Sequence, residues 1–546
     1  MDITTKIIKY LIKNPPNSEV DLSNTKRNFC KQLKIHAAPT NAELLTAYRK
    51  LKLNLPQLKN LLTKRQVRTI SGIAPIAVLT KPYTCPGNCA YCPKEEGMPT
   101  SYLSNEPAVM RAILCKFDPY TQVNMRLQAL QNNGHSTNKL ELIVMGGTWS
   151  YLPKNYQTWY IKECFRAAND FPKKIKIPKQ QNITKLTTEL NIEQKKNEQA
   201  KNKIIGLTLE TRPDYINEQE LISMRNFGCT RIEIGIQHTD NKILKLNQRG
   251  HTVEQTIQAT QLMRSFGFKI TYHIMLNLPG STPARDLKMM QTIYNNPNFQ
   301  PDQIKLYPTV VAKGALIYKW HQQGKWQAYT TQQLINLIVK IKSITPPWVR
   351  IIRVIRDIPA ESIIAGNNIT NLRQNIQQEM NQQKLTCNCI RCREAGRAHI
   401  NIKTSKHLNK LDNTVKLITR KYKVQNGTEY FLSFESKDKK ILYAFCRLFL
   451  PTISPPFQEG VVPLNGNGVV NIAIIRELHT YGQLTPVGQT GSVQHHGLGK
   501  QLLAQAETIT KQKKYAKLSV ISGIGVRAYY RKLGYKLKNT YMIKNI

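Results

Sequence analysis

Cys85, Cys89 and Cys92 are spaced C-x3-C-x2-C within Cys85-Pro86-Gly87-Asn88-Cys89-Ala90-Tyr91-Cys92-Pro93. Three thiolates on one short loop can hold three irons of a cubane [4Fe-4S] cluster. The fourth iron is then open to the amino and carboxylate groups of S-adenosylmethionine, and one-electron reduction of that sulfonium gives a 5′-deoxyadenosyl radical. A zinc knuckle is the alternative, but it wants a fourth ligand that this stretch does not supply. Tyr91, just before the last thiol, is placed to stack on an adenine. A second set, Cys387, Cys389 and Cys392, is spaced C-x-C-x2-C. It suits tetrahedral zinc, with His399 or a remote residue as fourth ligand, and reads as a staple between two modules. The other five of the 11 cysteines are scattered and read as small core residues.

A different chemistry is offered by Gln494-His495-His496-Gly497-Leu498-Gly499-Lys500, which precedes an apolar helical stripe of Leu498, Leu502, Leu503, Ala506 and Ile509. Glycines at such a turn let backbone N–H groups approach a pyrophosphate, and the helix N-terminus favours its charge. Alone the pattern is weak, since any strand–turn–helix can carry two glycines. Tyr529 and Tyr530, followed by Gly534-Tyr535, lie one strand further on.

The 546 residues carry 79 Lys+Arg against 34 Asp+Glu, a net charge of +45. Drift towards lysine does not explain so few acids, whereas a nucleic-acid partner does; a membrane surface is the lesser reading. A hydrophobic share of 41% excludes a wholly disordered chain. Mean hydropathy is −0.41, and no apolar run reaches 18 residues, so no membrane-spanning helix is expected. The first residues read as an amphipathic helix rather than a signal or transit peptide, so the expected compartment is the cytoplasm.

The positioning elements follow from pattern. Residues 1–70 read as a basic helical block, with Lys26, Arg27, Lys31, Lys34, Arg49 and Lys50 at helical spacing. From 71 to 380, short apolar runs end in unusual residues and alternate with helical stretches: 140–145 into Gly146-Gly147-Thr148, 204–209 into Glu210-Thr211-Arg212-Pro213, 231–236 into Gln237, and 270–276 into Asn277. Strands alternating with helices predict a parallel α/β sheet or barrel, in which strand-end residues gather on one face. Thr252-Val253-Glu254-Gln255 is a capping box. Residues 173–203, rich in Lys, Gln, Asn and Thr, read as a surface insertion. Residues 381–400 form the thiol-rich linker, and 401–546 a separate mixed α/β module.

Three resemblances sit on these residues. The C-x3-C-x2-C loop resembles the radical S-adenosylmethionine superfamily. There the glycine turn after the second strand, here Gly146-Gly147-Thr148, meets the methionine amino group; by strand-end position alone, Glu210, Arg212 and Gln237 read either as further cofactor contacts or as structural salt-bridge and hydrogen-bond residues. The order strand, Q-x-x-G-x-G, helix, strand, YY-x3-GY resembles the Gcn5-related N-acetyltransferase (GNAT) fold, whose turn cradles acetyl-CoA. The whole chain is similar to the Elongator protein three family, carried also by 207–214 (LTLETRPD), 306–309 (LYPT), 356–359 (RDIP), 476–479 (RELH) and 519–523 (SVISG). Departures are the 173–203 stretch and Val311-Ala312-Lys313.

That resemblance implies a partial (β/α) radical barrel plus a GNAT-type domain behind a basic tRNA-binding segment. It implies modification of the transfer-RNA wobble uridine, and in archaea and bacteria a stand-alone enzyme. An adenosyl radical takes hydrogen from the acetyl-CoA methyl, the carbon radical adds at uridine C5, and thioester hydrolysis leaves a carboxymethyl group. Tyr529 and Tyr530 then fall on the acetyl-CoA side, while Lys305, Tyr307 and Lys313 fall where CoA or substrate would be held. Arg350, Arg353 and Arg356 are expected to neutralise phosphates. The rival is a protein lysine acetyltransferase using only the C-terminal module. It would want an acidic groove and a carboxylate base, which a +45 chain does not advertise.

Overall fold

The computed structural model describes residues 2–64, 69–173, 185–369, 371–397, 415–452, 472–481 and 497–546. Seven parallel strands form the first sheet: β1 (Ala74–Leu79), β2 (Lys139–Met145), β3 (Lys203–Thr211), β4 (Arg231–Gln237), β5 (Lys269–Leu276), β6 (Gln303–Pro308) and β7 (Arg350–Arg353). Spatial order equals chain order, so every crossover steps the same way and the sheet winds as an open half-barrel. Strand β4 is buried along almost its whole length, as a parallel strand covered on both faces must be. Its helices pack outside, and the apolar core runs between them and the sheet. The capping box at Thr252 is present, with Gln255 Nα donating to the threonine hydroxyl at 3.3 Å and its side chain returning to Thr252 N–H.

The second sheet is mixed: β8 (Lys416–Val424), β9 (Gly427–Glu435), β10 (Leu442–Pro451), β11 (Ile472–Thr480), β12 (Lys517–Val520), β13 (Lys536–Lys538) and β14 (Tyr541–Asn545). Its order is β13-β14-β12-β11-β10-β9-β8, and only β11 and β12 run parallel. A parallel neighbour needs a crossover, which the helix Leu498–Gln512 supplies.

Four helices (Ile3–Lys13, Glu19–Gln32, Asn41–Lys50 and Pro56–Leu62) enclose a small core of their own around Ile7, Ile8, Leu11, Leu44 and Leu62. Lys26 and Arg49 are used internally, on the Pro39 and Gln131 carbonyls, whereas Lys6, Lys9, Arg27, Lys31, Lys34 and Lys50 are exposed.

The stretch expected as a surface insertion differs from that reading over residues 186–203. Leu186–Asn197 is a helix that packs on the helix Lys154–Asp170, with Leu190 in the main core. The misleading signal was its amides, which are satisfied internally instead of by water. Asn197 donates to Asn169 and to the Asn202 carbonyl, and Asn202 donates to the Ala168 and Phe171 carbonyls.

The two sheets meet at the N-terminal ends of the barrel strands. Arg476 bridges Asp302 and Glu429, Arg264 reaches Glu429 at 3.2 Å, and Arg447 reaches Asp302 at 3.3 Å, all with almost no exposure. Gly523 lies so close to β3 that a Cβ there would stand 2.0 Å from the Ile205 carbonyl oxygen.

Candidate active site

The half-barrel interior and the C-terminal ends of its strands bound a cleft of about 890 Å³. The loop after β1 brings Cys85, Cys89 and Cys92 to its wall. This loop is pinned by its middle residue: Ala90 N–H donates to the Asn247 carbonyl at 3.0 Å, and the Ala90 carbonyl accepts from Ile317 N–H at 2.8 Å. Arg249 donates from Nη1 to Cys89 Sγ at 3.3 Å and from Nη2 to the Gly235 carbonyl at 2.7 Å. The Cys89 thiol is pulled down to about 4, first by a hydrogen bond from Cys92 and then by the Arg249 guanidinium; Cys92, which keeps the shared proton, is pushed up. Such an electropositive, thiolate-favouring corner is what metal ligation by sulfur requires.

The glycine turn after β2 faces this loop. Gly146 and Gly147 have φ of 132° and 101°, and a Cβ on Gly146 would stand 1.9 Å from Thr80 Oγ1, so only glycine fits there. Gly147 and Thr148 line the cleft, with Thr148 Oγ1 3.9 Å from Cys85 Sγ; Gly146 lines a small recess beside it.

At the end of β3, Glu210 accepts from Tyr102 O–H at 3.2 Å. Arg212 spends Nε and Nη2 on Asp214, leaving Nη1 buried without a partner among the described residues. Room for that nitrogen is made by Gly87, where a Cβ would stand 2.2 Å from it. Gln237 ends β4 with φ of 65°, and its Oε1 is likewise buried and unpartnered, as is the Tyr91 hydroxyl. Orphaned buried polar atoms are expensive unless something else satisfies them. Three thiols on one loop, a glycine edge, a free guanidinium nitrogen and a free amide oxygen fit a three-thiolate cluster carrying an amino-acid-bearing sulfonium cofactor.

Deeper in the barrel is a charged group that the sequence reading named only in part. Glu233 on β4 accepts from Lys305 on β6 and from His273 Nε2 on β5 at 2.8 Å. Lys305 also lies 3.6 Å from Glu210, and Tyr307 meets the His273 ring edge-on at 5.5 Å. Burial alone would discharge both partners; mutual attraction instead holds Glu233 well below and Lys305 above their ordinary values. Glu233, His273 and Arg249 were missed. The available signal was a polar residue at alternate positions of otherwise apolar strands (Ile232-Glu233-Ile234, Tyr272-His273-Ile274), facing the Lys305 already singled out.

Other expected residues lie apart from this group or are already paired. Lys313 is exposed and outside the residues lining the cleft. Arg350 and Arg356 are not free for phosphates: Arg350 pairs with Glu394 at 2.7 Å and donates to Tyr481 O–H at 2.9 Å, and Arg356 pairs with Glu106 at 2.9 Å. Arg353 is exposed at the cleft wall, 3.1 Å from Asp357.

In the second sheet, Gly497 has φ of 82° at the N-terminus of the Leu498–Gln512 helix, and Tyr529 O–H lies 3.4 Å from where a Gly499 Cβ would be. The glycine turn and Tyr529 are therefore neighbours, with Lys500 exposed beside them. Leu498 and Tyr530 belong to the apolar core, Tyr530 meeting Tyr529 and Tyr535 at steep ring angles. Gln494, His495, His496 and His399 lie outside the described residues. The sulfurs of Cys387, Cys389 and Cys392 lie within 4.8 Å of one another under β7.

Residues 80–293 match the radical SAM superfamily and 301–382 the radical SAM C-terminal domain. Such a domain implies a [4Fe-4S] cluster and S-adenosylmethionine. A protein of Methanocaldococcus infernus named tRNA uridine(34) acetyltransferase is 41% identical over 520 residues, covering 93% of this chain and 92% of its own. Elongator complex protein 3 of Homo sapiens is 35% identical over 559 residues, covering 98% and 96%. The chain belongs to the Elongator protein 3 family. A solved structure of that family, the archaeal M. infernus Elp3 with an N-terminal deletion, superposes with a TM-score of 0.72 at 38% identity, covering 88% of this chain and 100% of its own. The half-barrel joined to a mixed sheet is thus the Elongator protein 3 architecture, and the chain carries a radical SAM enzyme's domain.

Proposed function

We propose that the protein modifies the wobble uridine of transfer RNA at C5, using S-adenosylmethionine and acetyl-CoA, to give a carboxymethyl group. What carries this reading is one juxtaposition: three thiols of one loop line the same cleft as Arg212 Nη1 and Gln237 Oε1, both without a partner among the described residues, above the Glu233–Lys305–His273 group. The relatives' name, tRNA uridine(34) acetyltransferase, supports the substrate.

Cys85, Cys89 and Cys92 would hold the cluster, with Gly147, Thr148, Glu210, Arg212, Gln237 and Tyr91 around the cofactor. When bound, the pair supplies a 5′-deoxyadenosyl radical. The chain's part is to keep that chemistry dry and oriented. Arg249 steadies Cys89, Lys305 and Tyr307 present polar atoms to the substrate end of the cleft, and Glu233 holds Lys305 and His273 in fixed rotamers. Gly497, Gly499, Lys500 and Tyr529 would receive acetyl-CoA. The exposed lysines and arginines of residues 1–64 would meet RNA phosphates, and Cys387, Cys389 and Cys392 would bind zinc, which metal analysis of the purified protein tests. Among the described residues no helix is long and apolar enough to cross a membrane.

The test is anaerobic reconstitution with iron and sulfide, then incubation with S-adenosylmethionine, acetyl-CoA and transfer RNA. Formation of 5′-deoxyadenosine together with carboxymethyluridine is expected. Acetyl-lysine on a basic peptide, with no RNA product, would establish the lysine acetyltransferase instead.

A further inference from the structure

The loops leaving β1, β2 and β3 each carry a tyrosine close to a residue of the cleft. Tyr83 is two residues before Cys85, Tyr151 three after Thr148, and Tyr215 three after Arg212. These tyrosines come together outside the cleft as a continuous row. Ring centroids are 6.0 Å apart for Tyr83 and Tyr151, and 5.9 Å apart for Tyr151 and Tyr215. Interplanar angles of 61° and 86° mean the rings do not stack on one another, which leaves π-surface uncovered. Tyr83 is 40% exposed and Tyr151 is 41% exposed. No hydroxyl of the three has a protein partner among the described residues.

Tyr215 is partly buried beside them, and grouped aromatics with exposed members mark a contact site. We propose that Tyr83, Tyr151 and Tyr215 form a stacking platform at the cleft mouth for single-stranded RNA bases, the anticodon-loop nucleotides next to the one being modified. This rests on the reading above that transfer RNA is the substrate.

The chemistry requires such a surface. A base can reach the cleft only after leaving its stack, and its neighbours then expose their own faces. Tyrosine rings accept any base, because every base has a π-face, so the platform serves loops of different sequence. The charge around the row agrees. Lys81, two residues before Tyr83, stands with its ammonium 4.9 Å over the Tyr156 ring, and Asp214 beside Tyr215 is tied to Arg212. Among the described residues, a polyanionic strand therefore meets one lysine and no unpaired aspartate beside the row, in a chain of net charge +45.

The probe is a short anticodon stem–loop RNA with 2-aminopurine beside the wobble uridine, bound to the reconstituted full-length protein. With wild type, 2-aminopurine fluorescence should be quenched on binding. Tyr151→Ala should remove most of the quenching and weaken binding about 5- to 150-fold, from ~1–3 kcal/mol per stacked base. Tyr151→Phe should restore both, since the ring rather than the hydroxyl does the stacking. The salt dependence of binding should be unchanged, as no phosphate contact is lost. Unaltered quenching and affinity in Tyr83→Ala/Tyr151→Ala/Tyr215→Ala would overturn the platform while leaving the tRNA reading intact. Wild type that neither binds the stem–loop nor modifies transfer RNA would overturn both. Variants that bind RNA normally but turn over slowly only with a protein reductant, not with dithionite, would reassign the row to an electron donor.

Discussion

Glu233 is the residue on which the cleft floor turns. It has almost no contact with solvent, yet it accepts from both Lys305 and His273. Replacing it with Gln leaves a buried ammonium facing an amide, and breaking such a pair costs about 3–5 kcal/mol. Urea unfolding of Glu233→Gln should show a loss towards the lower end, since Glu210 lies 3.6 Å from the same ammonium. His251 makes the opposite kind of statement. Burial, then the Arg249 and Arg212 charges, push its pKa down to about 3, so the folded apoprotein keeps it neutral. The unfolded chain takes up a proton near 6.5. Between those values the unfolded state binds more protons, so stability falls as pH drops through that window, by up to about 1.4 kcal/mol per pH unit. Melts of the apoprotein between pH 7 and 4 should show a shallower decline for His251→Gln.

Among the elements, the short helical turn Ile524–Val526 sits directly on the start of β3, and Gly523 permits this. Its φ of −68° is ordinary, so what matters there is proximity and not backbone freedom. A Cβ 2.0 Å from a carbonyl oxygen of a core strand cannot be relieved by moving a side chain. Gly523→Ala should lower stability by at least about 1–3 kcal/mol, the overpacking cost of a tight core, read as a drop in melting temperature. Element by element, β2 to β5 were legible because each apolar run ended in Gly, Glu-Thr-Arg, Gln or Asn, and Thr252 with Gln255 announced its helix. The cysteine loop was legible from spacing alone. The helix at 186–197 was not, because its buried face includes Glu193, Gln194 and Asn197, which meet Asn169, the Asn226 carbonyl and Asn169 from other elements. Arg350 and Arg356 misled for a similar reason: their acidic partners, Glu394 and Glu106, come from other elements.

For the whole molecule, the N-terminal helices have a separate apolar core and touch the barrel through few groups, among them Lys64 N–H on the Asn133 carbonyl. A chain starting at residue 69 should therefore keep the two-sheet body folded while binding transfer RNA more weakly. A plot of log affinity against log salt should also be shallower, because phosphate contacts are removed. Circular dichroism and a salt series of filter-binding measurements check the two halves of that statement. The junction between the sheets behaves differently. Asp302 and Arg264 come from the barrel, Arg476, Glu429 and Arg447 from the second sheet, and each acid is shared across the boundary. Cutting the gene between them would strand naked charges on both fragments, so neither half can be lent to another protein, and the two must be inherited as a single cooperative body.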